Sequence, residues 1–275
     1  MANRLSPDDG KTLGHERAMS GSAPLRVWVD EAGTLLRLRL ARPRANVIDA
    51  AMIAALDGAL TAHLASHDLL GILIDAEGPN FSFGASVEEH LPANCAAMLR
   101  DIHALLLRLL ACPIPVLVAV RGQCLGGGLE LALAGTLLFV SPDATLGQPE
   151  IKLGVLAPAA SCLLPERIGR AQAEDLLLSG RGVDAAEARD MGLVTSVAAD
   201  PEAAALAWFR QHLAGKSGAA LRHAVRAARL DFVERVRARL ARVEALYLDD
   251  LMATRDAVEG LEAFLARRPP RWEHR

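Results

Sequence analysis

The sequence predicts an α/β fold with a helical region behind it. Short apolar segments such as residues 71–75 and 115–120 have the composition of parallel strands that are covered on both faces. Segments with apolar residues at three- and four-residue spacing, typical of amphipathic helices, follow them. This strand–loop–helix order recurs roughly every 40 to 45 residues, which is typical of α/β layering with parallel strand pairing.

Turns and caps place the first elements of the core. Residues 25–29 and 34–40 have the pattern of two strands, and the turn at residues 31–33 indicates a hairpin between them. A helix is predicted to follow Asp49, which is a suitable N-cap. Apolar residues recur there at helical spacing, namely Met52, Ile53, Leu56 and Leu60.

The middle of the chain repeats the same order of elements. A loop that carries Gly, Ser and Phe occupies residues 78–86, and a helix is predicted over about residues 94–110. Strands are predicted at residues 115–120 and 137–140, with a helix at residues 129–134 between them.

Beyond Ala171 the pattern predicts nearly all helix. Four segments there carry apolar stripes, at residues 201–213, 217–230, 231–251 and 254–265. A helical region behind an α/β core often makes contacts between subunits. We therefore expect a flexible N-terminal tail at residues 1–24, the α/β core at residues 25–200, and a helical oligomerisation region at residues 201–275.

Composition limits the possible classes of function. Of the 275 residues, 52% are hydrophobic, which is enough for a sizeable core. Lys and Arg number 30 against 33 Asp and Glu, a net charge of -3 that argues against nucleic acid as the main partner. No apolar run approaches the roughly 18 residues of a membrane span. We expect neither a nucleic-acid partner nor a membrane partner.

Cysteine and histidine patterns indicate a reduced, metal-free protein. The four cysteines form no CxxC pair and are too few for a disulfide scaffold, so a cytoplasmic location is expected. His63 and His67 stand four residues apart on a predicted helix, where such a pair is usually solvated, and no metal site is predicted. Residues 1–24 lack the apolar segment of a signal peptide.

The strongest local signal is a Gly-rich turn between a buried strand and a helix. Gly122, Gly126, Gly127 and Gly128 can leave backbone N–H groups free to bind an anion or a developing negative oxygen. The spacing is neither that of a P-loop nor that of a G-x-G-x-x-G dinucleotide site. On spacing alone, tight strand–helix packing that tolerates no Cβ explains the turn equally well.

Two carboxylates follow this turn in apolar surroundings. Glu130 comes two residues after the last Gly, where a lone Glu most often complements the helix dipole. Glu150 follows a short strand and Pro149, and burial would raise the pKa of either carboxyl as a general acid requires. Two carboxylates beside free N–H groups are suited to adding or removing water next to a carbonyl. Residues 81–86 are candidates for a second N–H donor, although their composition also fits an ordinary loop.

Taken together, these residues resemble the enoyl-CoA hydratase/isomerase (crotonase) superfamily. The resemblance covers roughly residues 25–270 and is carried by Asn80-Phe-Ser-Phe-Gly-Ala-Ser86, Gly122-Gln-Cys-Leu-Gly-Gly-Gly-Leu-Glu130, Leu146-Gly-Gln-Pro-Glu-Ile-Lys-Leu-Gly154, and residues 178–181, 186–194 and 254–268. It implies a spiral core of repeated ββα units followed by C-terminal helices for trimerisation. It further implies an acyl-coenzyme A thioester as substrate, no separate cofactor, and a homotrimer or a dimer of trimers.

The resemblance also implies roles for individual residues. Ala85 and Gly127 match the two amide donors that bind the thioester oxygen, and Glu130 and Glu150 match the paired acid/base carboxylates of the hydratases. Residues that match the substrate- and coenzyme A-binding positions are Arg44, Ala45, Ser86, Val87, Phe264 and Arg267. The last two match C-terminal positions that often meet the ligand of a neighbouring subunit.

Retention of both glutamates favours hydration over isomerisation, decarboxylation or dehalogenation, so a hydro-lyase is predicted. Ser86 replaces the Asp that is usual after the oxyanion Ala, and residues 157–162 replace a Gly-rich segment that lines the acyl pocket. Residues 84–90 and 157–164 resemble the branch that converts cyclohexa-1,5-diene-1-carbonyl-CoA to 6-hydroxycyclohex-1-ene-1-carbonyl-CoA. Two alternatives stay open: a general 2-enoyl-CoA hydratase of fatty-acid β-oxidation, and a non-catalytic binding protein with the same fold.

Overall fold

Two antiparallel strands open the fold, as the hairpin pattern predicts. In the computed structural model, which describes residues 23–275, β1 (Leu25–Asp30) pairs with β2 (Leu35–Leu40) along its whole length. Of the predicted tail at residues 1–24, all but the last two residues lie outside the described part of the chain. The expected flexibility of the tail therefore stays a prediction.

The other strands form two sheets. They are β3 (Gly71–Ala76), β4 (Val116–Val120), β5 (Gln123–Leu125), β6 (Leu137–Val140), β7 (Thr145–Gly147), β8 (Gly182–Asp184) and β9 (Ser196–Val197). The main sheet has the order β1-β2-β3-β4-β6-β9 and is parallel from β2 onward. The smaller sheet has the order β5-β7-β8. The predicted α/β class with parallel pairing is confirmed.

Helices follow most strands and then take over the C-terminal part of the chain. They are α1 (Ala50–His63), α2 (Cys95–Leu110), α3 (Gly127–Leu133), α4 (Pro158–Ile168), α5 (Arg170–Ser179), α6 (Ala185–Asp190), α7 (Pro201–His212), α8 (Gly218–Ala228), α9 (Phe232–Ala245) and α10 (Arg255–Leu265). The carboxylate of Asp49 accepts a hydrogen bond from the Met52 N–H at 2.9 Å, which confirms the predicted cap. Within residues 23–275, no helix has both the length and the apolar character that crossing a bilayer requires.

Residues alternate along the strands between two buried clusters, one on each face of the main sheet. Leu36 and Ile72 belong to the larger cluster, which includes the apolar faces of α1 and α2. Leu35 and Leu73 belong to the smaller cluster around Phe209 of α7. Because both faces are covered, these strands are apolar almost throughout, which is the signal that the sequence shows.

A cluster of charged residues is buried at the main sheet. The side chain of Arg37 is 3% exposed and lies 2.7 Å from Asp75 and 2.5 Å from Glu202. Arg39 also contacts Asp75, at 2.5 Å. Each buried charge thus has a partner of opposite sign, as burial of ions requires.

The structure corrects three details of the predicted elements. The region beyond Ala171 also contains β8 and β9, so the prediction of nearly all helix is wrong there. These strands have only three and two residues, too few to show an alternating pattern. Strand β5 lies inside the Gly-rich turn. Helix α3 begins two residues before the predicted start at residue 129. The prediction missed these two residues because both are glycines, which have low helix propensity.

Candidate active site

A cavity of about 430 Å³ lies where the loop after β3, α2, α3, the segment before α4, and α10 meet. Its apolar wall includes Met98, Leu99, Ile102, Leu153 and Leu261. The polar side chains that line it are His90, Glu130, Glu150 and Lys152. An apolar cavity with a few polar groups is the usual form of a small-molecule site.

Two backbone amides lie side by side at the wall of this cavity. Gly127 is the first residue of α3, so its N–H has no acceptor within the helix. The Ala85 nitrogen lies 3.0 Å from the position that a Cβ on Gly127 would occupy. Among residues 23–275, neither N–H has a hydrogen-bond acceptor. The two amides are therefore free to bind one oxygen of a ligand.

Packing explains a different glycine of the same turn. Ser82 is fully buried, and its hydroxyl donates to the Asn46 carbonyl at 2.8 Å and accepts from the Gly84 N–H at 3.1 Å. A Cβ on Gly128 would come within 2.5 Å of the Ser82 Cβ. Close packing thus requires Gly128, and it places the loop that carries Ala85 against the start of α3. The two explanations that the spacing left open both apply, each at its own glycine.

Glu130 projects from the first turn of α3 and is only 5% exposed. One of its carboxylate oxygens accepts a hydrogen bond from the Ala160 N–H at 2.8 Å. Burial raises the pKa of Glu130, and the Ala160 N–H and the charge of His103 partly oppose that rise. The carboxylate form therefore has specific partners in spite of its burial.

Glu150 lies on a 3-10 helix (Pro149–Leu153) and borders the same cavity. Burial and the negative charge of Glu130 raise its pKa to about 8. With its amide nitrogen turned toward this carboxyl, Gln148 donates at 3.0 Å to either oxygen. Burial thus favours the protonated form of Glu150, whose carboxyl borders the same cavity as that of Glu130. Two carboxyl groups at one cavity can together donate and accept protons.

The structure brings together most of the residues predicted for the site. Those that line the cavity are Ala85, Val87, Gly127, Glu130, Glu150 and Phe264. Four others are not part of its wall, namely Arg44, Ala45, Ser86 and Arg267. Arg44 and Arg267 are exposed and have positive φ values of 89° and 52°. Their predicted contacts with coenzyme A stay predictions.

Sequence reasoning missed the residues that support the two glutamates. Gln148 stands two residues before Glu150, so a buried amide in that turn was a possible signal. Ala160 is 30 residues from Glu130 and acts through its backbone, which no residue type reveals. His90 was not predicted to lie on the cavity wall either.

Comparison with known proteins identifies the family of the chain. The family described as enoyl-CoA hydratase/isomerase matches residues 30–275. A curated relative from Thauera aromatica, named cyclohexa-1,5-dienecarbonyl-CoA hydratase, is 61% identical over 254 residues, which cover 92% of this chain and 98% of the relative. Both matches extend over the α/β core and the C-terminal helices.

Solved structures show the same fold. An enoyl-CoA hydratase from Mycobacterium avium subsp. paratuberculosis K-10 superposes with a TM-score of 0.79 at 26% identity, covering 92% of this chain and 99% of that one. An enoyl-CoA hydratase/isomerase from Pseudoalteromonas atlantica T6c gives a TM-score of 0.78 at 28% identity, covering 90% and 99%. The predicted resemblance and the crotonase-like fold are confirmed, and the chain belongs to the enoyl-CoA hydratase/isomerase family.

Proposed function

We propose that the protein is a hydro-lyase that adds water to cyclohexa-1,5-diene-1-carbonyl-CoA and forms 6-hydroxycyclohex-1-ene-1-carbonyl-CoA. The observation that carries this proposal is the placement of Glu130 and Glu150 at one cavity with the free amides of Ala85 and Gly127. The choice of ring substrate is supported by the relative from Thauera aromatica, whose name specifies that thioester.

The amides of Ala85 and Gly127 bind the thioester oxygen in this mechanism. They are in place before the reaction starts, so they stabilise the negative charge that develops on that oxygen without reorganisation. Removal of one such donor from an oxyanion hole typically costs about 10²- to 10³-fold in rate.

We assign different roles to the two glutamates because their environments differ. The Ala160 N–H and the charge of His103 both act to lower the pKa of Glu130, against the effect of burial, whereas burial and the charge of Glu130 both raise the pKa of Glu150. Glu130 therefore takes a proton from the attacking water, and the Ala160 N–H holds its carboxylate in place. Glu150, protonated at neutral pH, supplies the proton that carbon receives.

Water adds across the two ends of the diene. The water oxygen bonds to the ring carbon β to the thioester, and the electrons of the diene move toward the thioester oxygen to give an enolate. Glu150 protonates the far end of the diene, so that the remaining double bond becomes conjugated with the thioester. Water has then been added, Glu130 holds a proton and Glu150 has lost one. Transfer of a proton from Glu130 to Glu150 restores the starting state.

The residues in and around the cavity suit the other parts of the substrate. The apolar side chains from α2 and α10 suit a hydrocarbon ring, and Phe264 is 53% exposed at the same cavity. Arg44, Ala45, Ser86 and Arg267 lie outside the cavity and are proposed to contact the coenzyme A part of the substrate. Coenzyme A belongs to the substrate, so the reaction needs no separate cofactor.

Assembly and location belong to the same proposal. We assign a homotrimer or a dimer of trimers in the cytoplasm, formed through the C-terminal helices. Exposed apolar side chains in this region, such as Leu230 and Leu246 at 69% and 48% exposure, support contacts between subunits.

A substrate panel tests the proposed activity. Purified protein is mixed with the cyclic dienoyl thioester and, separately, with crotonyl-CoA, and hydration is followed by absorbance. We expect a higher kcat/KM for the cyclic thioester. Preference for crotonyl-CoA would favour a general 2-enoyl-CoA hydratase. Binding of both thioesters without turnover would favour a non-catalytic protein.

A further inference from the structure

Two polar side chains of the cavity, those of His90 and Lys152, have no role in the mechanism above. His90 ends a short 3-10 helix (Glu88–His90) that follows the loop of Ala85, and it borders the cavity beside apolar residues. The other polar side chains of the wall, all ionisable, are Glu130, Glu150 and Lys152. Among the described residues, His90 forms no hydrogen bond with any of these three.

The hydrogen bond of His90 determines which of its ring nitrogens carries the proton. Nδ1 lies 2.7 Å from the Ser86 carbonyl oxygen. Because a carbonyl oxygen only accepts, Nδ1 must be the donor. Burial lowers the pKa of His90, which favours the neutral ring. Nε2 is then an unprotonated acceptor on the opposite edge of the ring.

This acceptor has no protein partner among residues 23–275. When a ligand fills the cavity, water is excluded, and an acceptor without a donor costs free energy. The apolar side chains of the same wall, such as those of Val87 and Met98, cannot donate to it. A ligand that brings its own N–H or O–H would remove this cost.

We propose that Nε2 of His90 accepts a hydrogen bond from an N–H or O–H donor of the bound thioester. This inference rests on the proposed function, which supplies two such donors. One is the ring hydroxyl that hydration creates, and the other is an amide N–H of the pantetheine arm. His90 is a binding residue in either case, and it moves no proton in the reaction.

Three substitutions separate the parts of the His90 ring. Leu in His90→Leu removes both nitrogens. Asn in His90→Asn can still reach the Ser86 carbonyl but places no acceptor at the position of Nε2. Gln in His90→Gln places an amide oxygen near that position. His63→Leu is the matched control, because Nδ1 of His63 lies 2.9 Å from the Ala59 carbonyl in the same spacing on α1, outside the cavity.

The measurements are the KM of the unsaturated thioester in hydration and the inhibition constant of the hydroxylated product. A hydroxyl donor predicts that only the product constant rises, by about tenfold, in His90→Leu and His90→Asn. A pantetheine donor predicts that both constants rise by about that factor. In both cases His90→Gln recovers most of the loss and His63→Leu matches the wild type.

Two results would overturn the role of His90. One is a pair of constants within twofold of wild type in His90→Leu and His90→Asn, with melting temperatures that show folded proteins. The other is weaker binding in His90→Asn, seen in either constant, that His90→Gln does not recover. This second result tests the role of His90 even if His90→Leu does not fold. Absence of wild-type turnover would instead contradict the proposed function, so the two failures are distinguishable.

Discussion

The Glu150 carboxyl occupies space beside Gly126 that a side chain at position 126 would need. A Cβ on Gly126 would lie 2.6 Å from a carboxylate oxygen of Glu150, and Gly126 also has a φ of 51°. Gly126, which precedes the free amide of Gly127, therefore makes room for the Glu150 carboxyl. The Gly-rich turn thus positions both the free amide of Gly127 and the carboxyl of Glu150.

This relationship predicts the effect of Gly126→Ala. The methyl group displaces the Glu150 carboxyl, and we expect kcat to fall by about 10²-fold or more, the usual contribution of a positioned acid. Gly58→Ala is the control, since a Cβ on Gly58 of α1 meets no atom within 4 Å. The control should keep wild-type kcat and gain up to about 1 kcal/mol in free energy of unfolding. Wild-type kcat in Gly126→Ala would contradict the shared space.

The raised pKa of Glu150 predicts an alkaline limit to activity. Its carboxyl is protonated below about pH 8 and loses the proton as the pH rises through that value. The kcat for hydration should therefore fall above about pH 8. Glu130→Gln removes a negative charge that raises this pKa, so the limit of the residual activity should move to lower pH. An alkaline limit that does not respond to Glu130→Gln would contradict the coupling of the two carboxyls.

The buried ion pair in the main sheet predicts a stability effect without a direct effect on chemistry. Asp75→Ala leaves Arg37, with 3% of its side chain exposed, without its closest buried partner. We expect the free energy of unfolding to fall by about 3 kcal/mol, measured by urea titration. Arg100→Ala is the control, because its pair with Asp101 is exposed and should contribute little. Equal stability of the two variants would show that Glu202 alone satisfies Arg37.

Trp272 connects the C-terminal residues to the 3-10 helix that carries Glu150. The Trp272 ring lies 3.0 Å from the Cβ positions of both Gly154, which ends the 3-10 helix of Glu150, and Gly260 of α10. Trp272→Ala should lower kcat by about tenfold or more, because misplacement of a catalytic group by about 1 Å is costly. Trp272→Phe should recover most of this loss.

Trp28→Ala is the matched control for Trp272. Trp28 lies on β1, away from the cavity, and is also partly exposed. The Arg37 guanidinium of β2 stacks on its ring at 4.8 Å. We expect lower stability with unchanged kcat in this variant. Equal losses of kcat in Trp28→Ala and Trp272→Ala would show a general effect of destabilisation.

Local signals in the sequence predicted much of the fold. The apolar strands, the Asp49 cap and the helical stripes each depend on neighbouring residues, and each appears in the structure. Strands β8 and β9 were missed because pairing with distant strands, rather than their own pattern, defines them. The same limit applies to the buried partner of Arg37, which comes from the adjacent strand.

For the site, the sequence indicated the residue types but not their supports. The Gly-rich turn and the two glutamates were identifiable from type and spacing. The contacts of Glu130 with Ala160 and of Glu150 with Gln148, and the position of His90, arise only when separate segments pack around one cavity. The spacing also could not separate the packing role of Gly128 from the free amide of Gly127.

The most direct test of the mechanism compares Glu130→Gln and Glu150→Gln with the wild type on cyclohexa-1,5-diene-1-carbonyl-CoA. Gln keeps the size of each side chain and removes its acid–base chemistry. We predict that each variant lowers kcat by about 10²- to 10⁴-fold while KM changes little. Turnover close to wild type in both variants would contradict the paired-carboxylate mechanism.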